Sequence, residues 1–431
     1  MSLHLIIIEL GRSNTMEINK NQDSTWSKIW QFISGPFKYS SIRKTTIFLV
    51  LNVLISAIFI LIFGKEALGT LLSVVLGFFL SKIAITFFDT IRMALEDKKK
   101  CNRDNDFLEK IYKENHYLHH LDENSSDKGF LYDECIPYQK NLNILIDDHP
   151  KAMMKLDPFI QNYYVDIFGA HKASYVENNI TLKLMDYEKN KDGYSIMLSR
   201  STYYNHLVTN RAIDYPIKNG LTLRGVFEFG PKLNELKTSK MSNHLGIIGF
   251  VELSDGRVIF PKRQSNSTTS KNLVTASIAS RVILDNPNHK ITSMNEIETM
   301  VKKTIDKRLG ISMNDIPNNQ YEIHFIGLGR DVYEGGKPHF FYYIKLKQLN
   351  SEDFLVAYKK HRKDKLEQGM DMDKMVYLCN MDTIELKKNY SIRMKCSIAS
   401  KKTIKKIIKV KPEMSFLGAL KHYQDYKKMN P

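Results

Sequence analysis

The residues best suited to chemistry are cations interleaved with aromatic and amide side chains, gathered in the middle of the chain. Residues 203–211 read YYNHLVTNR, unusually polar for what looks like a strand end. Tyr204, Asn205 and His206 lie in that phrase and Arg200 just before it; Arg224, Lys262, Arg263, Arg281, Arg330 and Tyr333 follow near other expected strand ends. Guanidinium and ammonium groups pair with oxyanions, and aromatic faces take cations or planar rings. As a group these ten residues could bind an anionic nucleotide; taken singly, each also reads as a solvated surface side chain. Other chemistries lack their residues: there is no Ser/His/Asp order, no P-loop and no GxGxxG. His116 and His120 are four apart, a spacing metal sites use on a helix. No HExxH and no Cys or carboxylate at a telling distance completes that set, so they read as a surface or core pair. No metal and no cofactor are expected.

The elements that must position these residues follow from periodicity. From about Asn141, residues 181–210 alternate apolar and polar side chains around the turn signal Lys191-Asp192-Gly193, which predicts a hairpin. The run LGIIGFVELSDGRVIFPKR predicts a second hairpin around Ser254-Asp255-Gly256. A helix is expected from Met294 to Leu309, then strands at YEIHFIGLGR and FFYYIKLKQL. Strands, helix, strands is the order of an α+β domain.

These segments resemble a known family. GIIGFVELSDGRVIFPKRQS is similar to the opening hairpin of a Nudix domain, IETMVKKTIDKRLGI (297–311) to the helix that carries the Nudix box, and YEIHFIGLGRDVYEGGKPHFFYYIKL to the strands after it. The box of active Nudix hydrolases reads G-x5-E-x7-R-E-U-x-E-E-x-G-U, and its glutamates hold the metals that activate water against a diphosphate. With the final Gly-aliphatic pair set at Gly310 and Ile311, the paired glutamates fall on Lys307 and Arg308. The preceding Glu and Arg fall on Thr304 and Lys303, and the opening Gly and isolated Glu on His289 and Asn295. Asp306, Glu296 and Glu298 are near but restore no pair. The resemblance therefore implies a Nudix-like α/β/α sandwich kept for binding, with catalysis lost.

The remaining organisation is read from composition. The chain has 431 residues and a net charge of +16; its pI is near 9.3 and its mean hydropathy −0.32. That charge favours an anionic neighbour, either a lipid leaflet or a phosphate-bearing ligand. Thr45–Phe88 holds two apolar runs split by Gly64-Lys65-Glu66, each about the 20 residues that cross a bilayer. Only helices satisfy such a backbone in lipid. The expectation is a two-helix transmembrane hairpin, both termini cytoplasmic, because Lys28, Lys38, Arg43 and Lys44 precede it and Arg92 and Lys98–Lys100 follow; the bacterial inner membrane is what the resemblance below implies. Asn52, Ser56, Ser73 and Ser81 would face partner helices or a pore formed by several hairpins, and Lys82 would snorkel to the headgroups. Residues 1–15 lack a basic leading region and read as no signal peptide; Met16 would make an ordinary start. Trp26, Trp30, Phe32, Phe37 and Tyr39 suit either an interfacial helix or a packed loop.

The expected domains are an amino-terminal segment 1–44, the hairpin 45–88, a helical connector 89–125, the Nudix-like domain 126–350 and a basic extension 351–431. In the extension, Ile404, Ile407 and Ile408 among Lys401, Lys402, Lys405, Lys406 and Lys409 read as a basic amphipathic helix for anionic lipid, as a strand or helix of the main domain, or as a nucleic-acid surface without a recognised fold. Four scattered cysteines without a CxxC pair read as reduced thiols. The whole arrangement resembles the two-transmembrane Nudix effectors of bacterial CBASS antiphage systems. That resemblance implies a catalytically inactive domain that binds a cyclic oligonucleotide second messenger, oligomerises and disrupts the inner membrane, with the lipid bilayer as a partner and no direct DNA or RNA binding. The alternatives are a membrane-bound Nudix hydrolase of nucleoside-diphosphate-linked substrates and a membrane scaffold without a small ligand.

Overall fold

Strict alternation within a few short runs builds the central layer. In Gly246–Glu252, Ile247 and Val251 join one buried cluster while Ile248 and Phe250 join another. In Lys337–Leu346, Phe340, Tyr342, Ile344 and Leu346 join the first cluster, and Phe341 and Tyr343 the second. A period of two with both faces apolar means a strand covered on both sides. The structure, a computed structural model, describes residues 100–121, 129–171, 177–263, 273–368, 372–373, 375–387, 390–398 and 404–430, which belong to one compact unit, residues 91–431.

Its principal strands are β1 (Asp133–Ile136), β2 (Asn143–Met153), β3 (Ile180–Asn190), β4 (Gly193–Thr202), β5 (Gly246–Glu252), β6 (Val258–Lys262), β7 (Ile278–Arg281), β8 (Tyr321–Asp331), β9 (Lys337–Leu346), β10 (Met375–Cys379), β11 (Ile392–Ile398) and β12 (Ile404–Val410). The helices used below are α1 (Asn105–Ile111), α2 (Tyr203–Leu207), α3 (Leu223–Phe227), α4 (Met294–Leu309), α5 (Ser351–Glu367) and α6 (Met414–Met429). A ten-stranded sheet runs β11-β10-β6-β5-β9-β8-β1, with a two-residue strand at Glu385–Leu386 and β12 both on β11, and β7 on β5. β5 and β9 pair in parallel from Gly246↔His339 to Glu252↔Lys345. A parallel pair needs a crossover, and the chain between these strands includes α4.

α4 buries Ile297, Val301, Ile305 and Leu309, one residue per turn, against the first face of the sheet. Each such side chain contributes roughly 1.5–3 kcal/mol on leaving water. The helix stops at Gly310, which takes a left-handed φ of +68°, the usual helix-ending residue. A Cβ there would lie 2.4 Å from the His361 ring, so the end of α4 lies close against α5. Phe354, Leu355 and Tyr358 of α5 join the same cluster. α6 covers the opposite face with Phe416, Leu417, Leu420, Tyr423 and Tyr426.

A second sheet of three strands runs β2-β4-β3, with β3 and β4 a hairpin turning at Lys191-Asp192. β3 also hydrogen-bonds the stretch before β5 and the one after β7: Leu182 N to Val282 O, Leu184 N to Asn243 O, and Leu245 N to Leu182 O. That seam brings α2, which follows β4, beside Arg281 and His244.

Several expectations are corrected. The hairpin 45–88, the segment 1–44 and the residues Asn52, Ser56, Ser73, Ser81 and Lys82 lie outside the described residues. Among the described residues no helix is long and apolar enough to cross a membrane. The longest, α5, has 17 residues and carries Glu, Asp, Lys and Arg; at about 1.5 Å per residue it falls short of a hydrocarbon core of about 30 Å. Over the described residues the fold class is therefore mixed α/β with large sheets, with no transmembrane hairpin joined to a sensor among them, and the same finding overturns the two-pass inner-membrane localisation. In the described part of the connector, α1 is seven residues long. His116 lies in a 3-10 turn and His120 beyond a two-residue strand, so they share no helix face. Residues 404–410 form strand β12, paired with β11 through seven residues. Within the extension 351–431, four strands and α6 build into the large sheet and its cover.

Candidate functional site

The C-terminal end of α4, the end of β6 and the middle of α5 bring arginines together. Arg308 comes from α4, Arg263 directly follows β6, Arg281 ends β7, and Arg362 lies one helical turn after Tyr358 on α5. The Arg263 guanidinium, more than any other cause, pushes the Arg308 pKa down to about 10; burial adds to this, Asp373 and Tyr358 oppose it, and Arg281 lowers it further. Arg263, Arg308 and Arg362 all bear on the Tyr358 hydroxyl, whose own pKa burial pushes up. That hydroxyl donates to the Asp373 carbonyl at 2.8 Å, so it is a fixed donor and no base.

One carboxylate reaches this cluster, and it is held loosely: Arg263 Nη1 stands 3.9 Å from Asp373 Oδ2, and Asp373 also acts on Arg308. Arg263 Nη2 donates to Ala279 O at 3.0 Å. The Nε atoms of Arg263, Arg281 and Arg362 are buried with no hydrogen-bond partner among the described residues. Only 12 % of the Arg263 side chain is exposed. Like charges brought together repel, and a buried donor without a partner costs about 1–3 kcal/mol. An oxyanion accepting from these forks removes both penalties.

Arg281 extends the cluster toward β3. Its guanidinium carbon sits 4.0 Å over the Tyr203 ring and its Nη2 donates to Asn179 Oδ1 at 3.1 Å; burial lowers its pKa. Tyr203 opens α2, where Thr202 Oγ1 accepts from Asn205 N at 3.2 Å as the cap. One turn on, His206 stacks on His244 with ring centroids 3.8 Å apart. Both imidazoles are buried, and burial first, then neighbouring charge, holds both well below the usual histidine range. Beyond them Glu334 takes Lys337 at 3.1 Å and Arg211 at 3.3 Å.

Of the ten residues singled out in the sequence, Arg263, Arg281 and His206 enter this constellation. Four others sit in internal networks. Arg200 makes a two-pronged pair with Asp148 at 2.6 and 2.8 Å and donates to Pro287 O and His289 O. Arg224 on α3 pairs with Asp214 at 2.6 and 2.8 Å and donates to Val332 O and Tyr333 O. Arg330 donates to Gly336 O and Asn234 O and lies 3.4 Å from Asp133. The Tyr333 hydroxyl donates to Asn105 Oδ1 of α1. Tyr204 packs its ring on Phe168, Asn205 uses its backbone at the α2 cap, and Lys262 is half-buried opposite Met375. Arg308 entered the sequence reading only as a position where a carboxylate is missing. Arg362, Tyr203, Tyr358 and His244 were not singled out; the Tyr358–Arg362 spacing of four on one helix was the legible signal.

The positions set against the catalytic box hold no acid pair. Lys307 is exposed, Lys303 pairs with Asp285 at 2.9 Å, and Thr304 donates to Met300 O. Glu296 is bound by His289 at 2.5 Å and by Thr292. Among the described residues no group of three His, Cys, Asp or Glu side chains could hold a metal ion.

No family model matches the sequence, and no curated protein does. Among solved structures, the chain is similar to that of the crystal structure of DR0079 from Deinococcus radiodurans, with 10% identity over 30% of this chain and 76% of that one, at a TM-score of 0.17.

Proposed function

We propose that residues 126–431 form a Nudix-like domain that has exchanged metal-dependent hydrolysis for recognition of a nucleotide phosphate at Arg263, Arg281, Arg308 and Arg362. The observation that carries the reading is the charge imbalance: four arginines linked through Arg308 and Tyr358, with Asp373 the carboxylate that reaches Arg263, and three of the four with a buried Nε lacking a partner among the described residues. In the register of the Nudix resemblance, Arg308 takes the place of a metal-binding glutamate. A guanidinium there meets a phosphate directly, where an active enzyme would hold it through a cation. The Tyr203 face beneath Arg281 gives the site an aromatic wall. The ligand class that fits is a cyclic oligonucleotide, with several phosphates for several arginines, and the protein acts as its sensor. For such a signal to be transmitted, the ligand must bind one state of the protein more tightly than the other, and we take the favoured state to be self-associated.

Thermal unfolding of the full chain against cyclic di- and trinucleotides, linear dinucleotides and nucleotide sugars tests this, with and without magnesium and with product analysis of every sample. A ligand at a hundred times its Kd adds roughly 2.7 kcal/mol to stability. The expected result is stabilisation by a cyclic nucleotide recovered intact, abolished by Arg308→Glu, with a larger particle in sedimentation. Magnesium-dependent cleavage would overturn the non-catalytic reading in favour of a hydrolase; absence of any shift would overturn the sensor reading.

A further inference from the structure

Two of the four cysteines face each other across adjacent strands at the end of β10 remote from Lys262. Cys379 on β10 and Cys396 on β11 are direct antiparallel partners. Residues so opposed have Cα atoms about 4.5 or 5.5 Å apart, within the window of about 4.4–6.8 Å that a disulfide spans. Both side chains lie in the same buried cluster, with Cys379 Sγ 3.4 Å from Met394 Sδ. Cys396 also lines a cleft of about 470 Å³ shared with Arg257, Leu378, Asn380, Lys395 and Ser397.

We propose that Cys379 and Cys396 are a peroxide-reactive dithiol that closes to a cross-strand disulfide. Cys396, which borders the cleft, is the attacking group and Cys379, whose thiol burial pushes up, the resolving one. The Cys396 thiolate attacks one oxygen of hydrogen peroxide; an S–O bond forms, the O–O bond breaks, and hydroxide leaves, taking up the thiol's proton as water. Cys379 sulfur then attacks the sulfenic sulfur; the S–S bond forms, the S–O bond breaks, and a second water leaves with the Cys379 proton. Two thiols lose two electrons and one peroxide becomes two waters. Cys101 and Cys135 are buried with thiols pushed upward by burial, and each lies in a different cluster from this pair.

The test is graded hydrogen peroxide on the full-length protein, followed by non-reducing peptide mapping. The expected product is a Cys379–Cys396 cross-link with the mass of two hydrogens lost, reversed by dithiothreitol, with Cys101 and Cys135 unchanged. In Cys379→Ser, a sulfenic acid should persist on Cys396 and be trapped by dimedone; in Cys396→Ser, Cys379 should stay reduced. Native alkylation of the unsubstituted protein by iodoacetamide gives an independent reading, with Cys396 modified first. Oxidation of Cys101 or Cys135 at the same peroxide dose, conversion of Cys396 to sulfinic acid without the cross-link, or no alkylation of Cys396 before denaturation would each overturn the proposal. None of these outcomes depends on nucleotide binding.

Discussion

Arg200 and Arg308 show how the same side chain serves opposite ends at the scale of single residues. Arg200 is fully buried, and Asp148, which holds both its prongs, also accepts from Ile291 N at 2.8 Å. Removing the cation leaves a buried carboxylate without its counter-charge, which typically costs about 3–5 kcal/mol. Arg200→Gln is expected to lose that much in urea unfolding, well beyond an ordinary surface change. Arg308 is charged against its surroundings, with a pKa lowered to about 10 chiefly by Arg263. Arg308→Gln should stabilise the ligand-free protein by on the order of 1 kcal/mol after solvent screening while abolishing any nucleotide-induced shift. Destabilisation by Arg308→Gln would mean that its charge is already satisfied within the fold. From sequence Arg200 was the ligand candidate and Arg308 only a box position without its carboxylate, because the deciding partner of Arg200 lies 52 positions away and no local pattern encodes it.

Elements were more legible than partners. The helix Met294–Leu309 and the hairpins at 191–193 and 254–256 stood in the sequence because apolar spacing and turn residues agree there, and each has the expected form. β12 was ambiguous because Ile404, Ile407 and Ile408 satisfy helical spacing, and the seven-residue ladder to β11 that decides for a strand is a non-local fact. The candidate site was legible only in part for the same reason: Arg263 and Arg281 are near strand ends, whereas the convergence of α4 and α5 on them is tertiary. That convergence hinges on Gly310. Its φ of +68° and the His361 ring 2.4 Å from a would-be Cβ oppose any side chain. Gly310→Ala should cost about 1–2 kcal/mol from the left-handed backbone alone, and more if the His361 ring cannot give way. Hydrogen exchange of 294–309 should quicken at the carboxyl end, and nucleotide affinity should fall with it. Unchanged exchange and affinity would show that the α4–α5 junction does not set the site.

Across the whole molecule, the seam between the two sheets and the face under α6 are packed with histidines that the folded state keeps neutral. His206 and His244 are held well below the histidine range by burial, and His339 and His422 are held at about 3 by the same cause. In the unfolded chain each titrates near 6.5. Below about 6.5 the unfolded state therefore takes up protons that the native state refuses, and stability falls with pH until the folded pKa values are reached. Carboxylates with raised pKa values oppose this. Asp331, pushed by burial and Glu334 to about 7, binds its proton in the folded state first; Asp133, Glu134 and Glu228 are raised by burial as well. Four histidines held low outweigh Asp331 between about pH 6.5 and 5. Each unbalanced proton changes stability by about 1.4 kcal/mol per pH unit. The urea midpoint should therefore drop steeply from pH 6.5 to 5, and His422→Phe should flatten the slope by one proton without touching the arginine site. A flat profile would mean that these imidazoles are hydrated or charged in the folded protein, and that the seam is looser than its packing implies. The steep profile would bear on the site as well: His206 stacks on His244 one turn from Tyr203, so acid that charges this stack should loosen the Tyr203–Arg281 wall before the sheet itself gives way.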